Sequence, residues 1–160
     1  MPFALTPEEH TRWLSRLGGE RMEQLILDNL LFTQARGVEL LAEETRRQGI
    51  HDRGTFKRGW RAKRVGMRVE FYNAAKHARW VLEGRSPGAR PPPSDVIAAW
   101  LRRRGYSRKE ASRMAFVVAR AIGRRGIKPR PVLARVKPRI GLAGRMHLLG
   151  ILQRAWKGDS

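Results

Sequence analysis

Cysteine is absent from the 160 residues, which removes a disulfide framework and any cysteine-based zinc site. Long apolar runs are missing too. The longest, "LILDNLLF" and "AFVVARAI", are short and broken by polar residues, so no bilayer span is expected. The start "MPFALTPEEH" has no basic stretch leading into an apolar one, which argues against a signal peptide and for a soluble protein kept inside a cell. Histidine is sparse: His10, His51, His77 and His147 stand far apart with no HxxxH or HExxH spacing, so no metal or other cofactor is expected.

Acid is scarce as well, and unevenly so. Residues 1–50 hold six arginines against eight carboxylates, a balance of −2, whereas residues 51–160 hold 28 bases against six acids, a balance of +22. Such a field implies a polyanionic partner or environment: nucleic acid, a membrane surface or acidic protein surfaces. Carboxylate-pair catalysis has few candidates beyond residue 50, namely Asp52, Glu70, Glu83, Asp95, Glu110 and Asp159. A hydrolase or nuclease built on Glu83, Asp52 and His51 is the weakest reading, because Glu83 in an arginine-rich setting is better explained as half of an ion pair. No nucleophile elbow or phosphate-binding glycine loop occurs, so no catalytic residues are assigned. Gly141-Leu142-Ala143-Gly144 matches the GxxG of an RNA-binding loop without the surrounding strand and helix order.

The chain length suits one domain: a helical N-terminal arm (1–50), an α+β core (53–131) and a basic C-terminal arm with a helix (132–160). Thr6-Pro7-Glu8-Glu9 reads as a helix start with a capping box, followed by Trp13, Leu14 and Leu17 at helical spacing. After Gly18-Gly19, Glu20 to Gln48 carries Leu27, Leu31, Ala35, Val38 and Ala42 on one stripe of a long helix that Gly49 stops. Met67, Val69 and Phe71 then alternate with Arg68, Glu70 and Tyr72, the period of a half-covered strand. Trp60–Arg64 is its antiparallel partner across a turn at Val65-Gly66, and Asn73 ends the ladder.

A helical piece, Ala75 to Leu82, leads into "EGRSPGARPPPSD", a stiff crossover whose prolines fix the approach to Ser94, the expected cap of the next helix. That helix presents Val96, Ile97, Trp100 and Leu101 on one face and ends at Gly105. Ser107-Arg108-Lys109-Glu110 opens another, with Ala111, Met114, Ala115, Val118, Ala121 and Ile122 at core spacing; Gly123, Gly126 and Pro129 end it. "KPRPVLARVKPRI" is expected to be extended because of Pro129, Pro131 and Pro138, with a last helix from about Leu142 to Trp156. The runs Arg102, Arg103, Arg104 and Arg124, Arg125 fall at helix C-termini, where they complement the macrodipole or contact phosphate or carboxylate. Trp60, Trp80 and Trp100 fit core packing better than base stacking.

Three stretches, taken in order, carry a resemblance. "DRGTFKRGW" resembles a "TGxLxxSx" turn-and-strand entry. "VEFYNAAKHARWVLEGRSPG" resembles a "V-x-N-x-x-x-Y-A-x-x-V-E-x-G" core. "RPPPSDVIAAWLRRRG" with "AFVVARAIGRRGIKPRPVL" resembles a segment ending "GI-x-x-R-P-F". Together, over about half the chain, they resemble the tail-completion or neck protein family of tailed bacteriophages and related prophages, including lambda-type minor tail protein Z-like and tail-terminator-like members. This chain differs in having His77 where tyrosine is frequent, Trp60 in place of serine, and Val132-Leu133 in place of phenylalanine.

The resemblance implies an α+β fold, with a small antiparallel β-sheet packed against a long N-terminal helix and further helices. It also implies a non-enzymatic virion component at the head-tail neck, assembled in the host cytoplasm. Such a protein forms a homohexameric ring in contact with head connector, stopper or portal-side proteins and with tail tube proteins; DNA in the channel is a further possible contact, and no membrane is involved. The positions matching the pattern are Gly54, Asn73, Glu83, Gly84, Pro91, Gly126 and Pro131, expected to set loop shape and subunit contacts. The alternative reading is a basic DNA- or RNA-binding protein using Arg102, Arg103, Arg104, Arg124 and Arg125 as polyanion contacts.

Overall fold

A computed structural model describes residues 18–50 and 54–157. The order is α1 (Gly19–Arg47), α2 (Thr55–Arg58), β1 (Trp60–Val65), β2 (Arg68–Asn73), α3 (Ala78–Leu82), α4 (Ser94–Arg103), α5 (Arg108–Arg125) and α6 (Val132–Lys157). The fold is α+β: mostly helical, with one two-stranded antiparallel sheet and a long N-terminal helix. The helix expected from Thr6, with Trp13, Leu14 and Leu17, lies outside the described residues. Among those described, no helix is long and apolar enough to cross a membrane.

Contacts group the chain into two compact units, one from residues up to Leu40 with Ala62–Phe71 and Lys137 onward, the other from Leu41–Arg61 and Tyr72–Val136. In the first unit, α1 packs against β2 and α6 where side chains are missing. A Cβ on Gly37 would overlap the Phe71 ring, and one on Gly144 would stand 2.8 Å from Thr33 Oγ1. Phe32 stacks on His147 with ring centroids 3.8 Å apart, and His147 Nδ1 lies 3.1 Å from Asn29 Oδ1. Lys63 and Glu70 pair across the hairpin at 3.0 Å. Gly141 and Gly144 are therefore helical, which removes the loop reading of the GxxG, and Gly144 serves helix approach instead.

The second unit is built around Trp60, which is 1% exposed. Its Nε1–H donates to Thr45 Oγ1 at 2.9 Å, and the Thr45 hydroxyl donates to the Leu41 carbonyl at 2.7 Å. Both polar groups thereby stay satisfied without water. Phe56 is buried edge-on to Trp60, because Thr55–Arg58 forms a helical turn rather than entering the strand directly. Nearby, α4 and α5 form a helical hairpin whose core is Ile97, Leu101, Ala111, Ala115 and Ala119, with Trp100, Val118 and Ile122 packed against it. Alanine at every fourth position lets the two helices approach closely. Ser107 accepts from the Glu110 N–H and Glu110 accepts from the Ser107 N–H, the capping box read from the sequence. The Ser107 hydroxyl also donates to Glu110 Oε2 at 2.6 Å; that bond first, then the one from the Ser107 N–H, holds the Glu110 carboxyl below its ordinary pKa.

Several expectations need correction. From Val132 through Pro138 the expected extended segment is helical, with Lys128–Pro131 alone outside a helix, and α6 begins ten residues before the expected Leu142. Val132 and Val136, one turn apart, are both 0% exposed, and burying them outweighs the hydrogen bond that Pro138 cannot make. On α1 the buried positions are Gly37, Leu40, Leu41, Glu44 and Thr45, whereas Leu31 and Ala35 of the expected stripe are exposed. Met67 is exposed because it sits in the turn with Gly66, one residue later than expected. The cap of α4 is Pro93, not Ser94, because the proline run stays extended through it. Val96 and Met114 are exposed on the flanks of the α4–α5 seam, and α5 continues past Gly123 to Arg125. Trp80 is 50% exposed: two residues from the buried Ala78, it projects from the opposite face of α3.

Two measurements check this packing. Thr45→Ala strands the buried Trp60 N–H and is expected to lower the free energy of urea unfolding by about 1–3 kcal/mol, with Thr45→Ser much milder. Glu44 is buried and accepts from Gln48 Nε2 at 2.9 Å, with Arg135 at 3.6 Å. The Gln48 hydrogen bond, then the arginine, hold its carboxyl below the ordinary 4.5 against the opposing effect of burial. A lowered folded-state pKa contributes stability present above the unfolded value and lost as pH falls through the folded one. Glu44→Gln is accordingly expected to flatten the acid limb of a melting-temperature profile below the ordinary glutamate range.

Candidate functional site

The loop between α3 and α4 is tied down along its length. Arg85 and Ile127 exchange both backbone bonds at 2.9 Å as an isolated antiparallel bridge. The Gly88 N–H donates to the Gly123 carbonyl at 2.8 Å, and the Arg130 N–H donates to the Val81 carbonyl at 2.8 Å. The Arg85 guanidinium also donates to the Arg90 carbonyl. Residues 81–91 and 123–130 thus form one backbone clasp.

Glycine makes that clasp possible. A Cβ on Gly84 would overlap the Ile127 carbonyl oxygen, and one on Gly126 would overlap the Arg85 carbonyl oxygen. Gly126 also ends α5 at φ 72° and ψ −166°, a conformation essentially restricted to glycine. Gly123 completes the contact from inside α5, where a Cβ would lie 2.8 Å from Pro91 Cγ.

The structure therefore brings Gly84, Pro91 and Gly126 together, with Glu83 and Pro131 on either side. Glu83 pairs with an arginine as expected: Arg79 Nε is 2.9 Å away, one turn earlier on α3. Both side chains are exposed, so the pair contributes no more than about 1 kcal/mol. Pro131 precedes α6, its carbonyl accepting from the Arg135 N–H at 3.2 Å.

Gly54 and Asn73 belong to a second cluster. Gly54, at φ 71°, opens α2, and Asn73 Nδ2 donates to the Phe56 carbonyl at 2.8 Å while its Oδ1 accepts from the Ala75 N–H at 3.0 Å. The side chain of Asn73 closes the end of the hairpin over Gly59, where a Cβ would meet it at 2.5 Å. The seven motif positions thus fall into two groups, not one site.

The arginines are also divided. Arg102, Arg103 and Arg104 close α4, whereas Arg124 and Arg125 close α5, so about 25 Å of helix separates the two groups. Arg104 lies 4.6 Å from the centroid of the Trp100 ring, and Arg103 is engaged as well. Between them runs a basic face not singled out from the sequence. Lys109, Arg113, Arg120 and Arg124 follow helical spacing along the exposed side of α5, and Phe116 and Val117 lie in their midst at 64% and 66% exposure. The signal was present: these residues are the complement of the alanine seam, half a turn away.

No metal-ligating cluster of histidine and carboxylate occurs among the described residues, and His10, His51 and Asp52 lie outside them. No family model, curated protein or solved structure matches the chain. Its function is therefore argued from its own residues and from the motif resemblance.

The clasp yields a graded expectation. Gly126→Ala adds both backbone strain and a collision, and should lower unfolding free energy by about 3 kcal/mol or more. Gly88→Ala, at φ 80° with nothing within 4 Å, carries only the strain, about 1–2 kcal/mol. Equal losses in chemical denaturation would contradict the collision.

Proposed function

We propose that the protein is a structural component of the neck of tailed bacteriophages, a tail-completion or tail-terminator subunit that forms a ring at the head-tail junction. It does no catalysis in this role. Its location is the virion neck, after assembly in the host cytoplasm. The observation that carries the reading is the clasp. The motif positions Gly84 and Gly126 act as architecture, permitting backbone contact that a side chain would block, and Pro91 packs on Gly123 beside them. A ring subunit needs such loops, because each interface must repeat identically for the ring to close and a preordered loop loses little entropy on docking.

Exposed apolar side chains add support. Leu142, Met146 and Leu149 lie one turn apart along α6 at 60%, 61% and 47% exposure. A monomer gains nothing by showing water such a row, whereas a subunit buries it against its neighbours or against a connector or tube protein. The basic DNA- or RNA-binding reading draws on the charge of +20 and the exposed arginines of α4 and α5. A neck ring around a DNA channel also accommodates that charge.

Sedimentation velocity separates the two. The ring reading expects a discrete oligomer, hexameric by the resemblance, and co-sedimentation with tail-tube or connector protein. A monomer at all concentrations that binds duplex DNA with a steep inverse salt dependence would replace it with the second reading.

A further inference from the structure

We infer that the exposed basic face of α5 docks on the N-terminal half of α1 of a second copy of this chain. The inference deepens the ring reading and rests on it. Each face is described by its own side chains. On α5, Lys109, Arg113, Arg120 and Arg124 surround Phe116 and Val117, and among the described residues none of these four cations has a carboxylate partner. On α1, Glu20, Glu23 and Asp28 share an exposed face with Leu31, which is 61% exposed; Gln24 Nε2 donates to Asp28 Oδ1 at 2.9 Å, fixing that carboxylate along the face.

The two faces are complementary in sign. The α5 face carries its cations on either side of Phe116 and Val117, and the α1 face carries its acids one after another ahead of Leu31, with Arg21 at its edge, so that docking joins opposite charges and covers Phe116, Val117 and Leu31. Like cannot pair with like. Two α5 faces would set four cations against four, and two α1 faces would set carboxylates against carboxylates. The contact is therefore heterologous, head to tail, the kind that generates rings when its rotation closes. A nucleic acid is the poorer occupant, because the centre of the α5 face would press Val117 against phosphates.

Charge reversal tests this on the full chain, with sedimentation velocity reading assembly and far-UV circular dichroism reading the fold. R113E/R120E and E23R/D28R are each expected to raise the concentration for half-assembly by about tenfold or more. The quadruple variant, which exchanges the two pairs of charges between the faces, is expected to restore assembly. F116S, which leaves the charges intact, is expected to weaken it too.

Wild-type assembly by R113E/R120E would overturn this contact and leave the ring reading standing. If that variant assembles normally but loses binding to a random-sequence DNA duplex, the α5 face belongs to nucleic acid and the inference also falls. A wild-type chain that never assembles overturns both readings.

Discussion

Two stretches of backbone lie too close together for any side chain to stand between them, and much of the second compact unit depends on that contact. Gly84 faces the Ile127 carbonyl, Gly126 faces the Arg85 carbonyl, and Gly123 faces Pro91. The Arg85–Ile127 bridge satisfies backbone groups that a free loop would leave to water. Because the clasp joins the exit of α3 to the end of α5, it also sets where the proline run begins, and so where α4 can start. The same stretch ends at Arg130 and Pro131, from which α6 enters with Val132 and Val136 buried. A loop that would otherwise be a flexible crossover becomes a fixed part of the structure.

Around that constraint, buried polar groups are few and well placed. Thr45 both accepts from Trp60 and donates to Leu41, so a single hydroxyl secures the indole against α1. Most of the charge stays in water, in keeping with the high cost of burying an unpaired ion. The exposed bases consequently form surfaces with direction: one along α5, others at the ends of α4 and α5. Assembly is the role that uses both the fixed loops and these faces, which is why the proposal favours a ring subunit over a free-standing binder.

Much of the fold was legible in the sequence because its signals were local. The hairpin followed from the alternation of Met67, Val69 and Phe71 with Arg68, Glu70 and Tyr72, and the start of α5 from Ser107 and Glu110. What was not legible depended on partners distant in sequence. Pro131 and Pro138 suggested an extended arm, but burial of Val132 and Val136 decided otherwise. Leu31 fitted an apolar stripe on α1 by spacing, yet the packed side of that helix is chosen where Gly37 admits Phe71 and where Thr45 receives Trp60. Of the candidate site, the glycines and Pro91 could be named from their motifs, and Glu83 was correctly expected to pair with an arginine. Their joining into a clasp required the bridge to Ile127, and the basic face of α5 emerged once the alanine seam fixed which side of the helix was covered.

The account turns on a loop that is ordered before any partner arrives. Hydrogen exchange of the Arg85, Gly88 and Ile127 amides in dissociated subunits tests this most directly, since all three donate within the clasp. Protection comparable to the middle of α5 is the result the account predicts. Exchange at the rate of an unstructured peptide, with protection gained only on assembly, would contradict it.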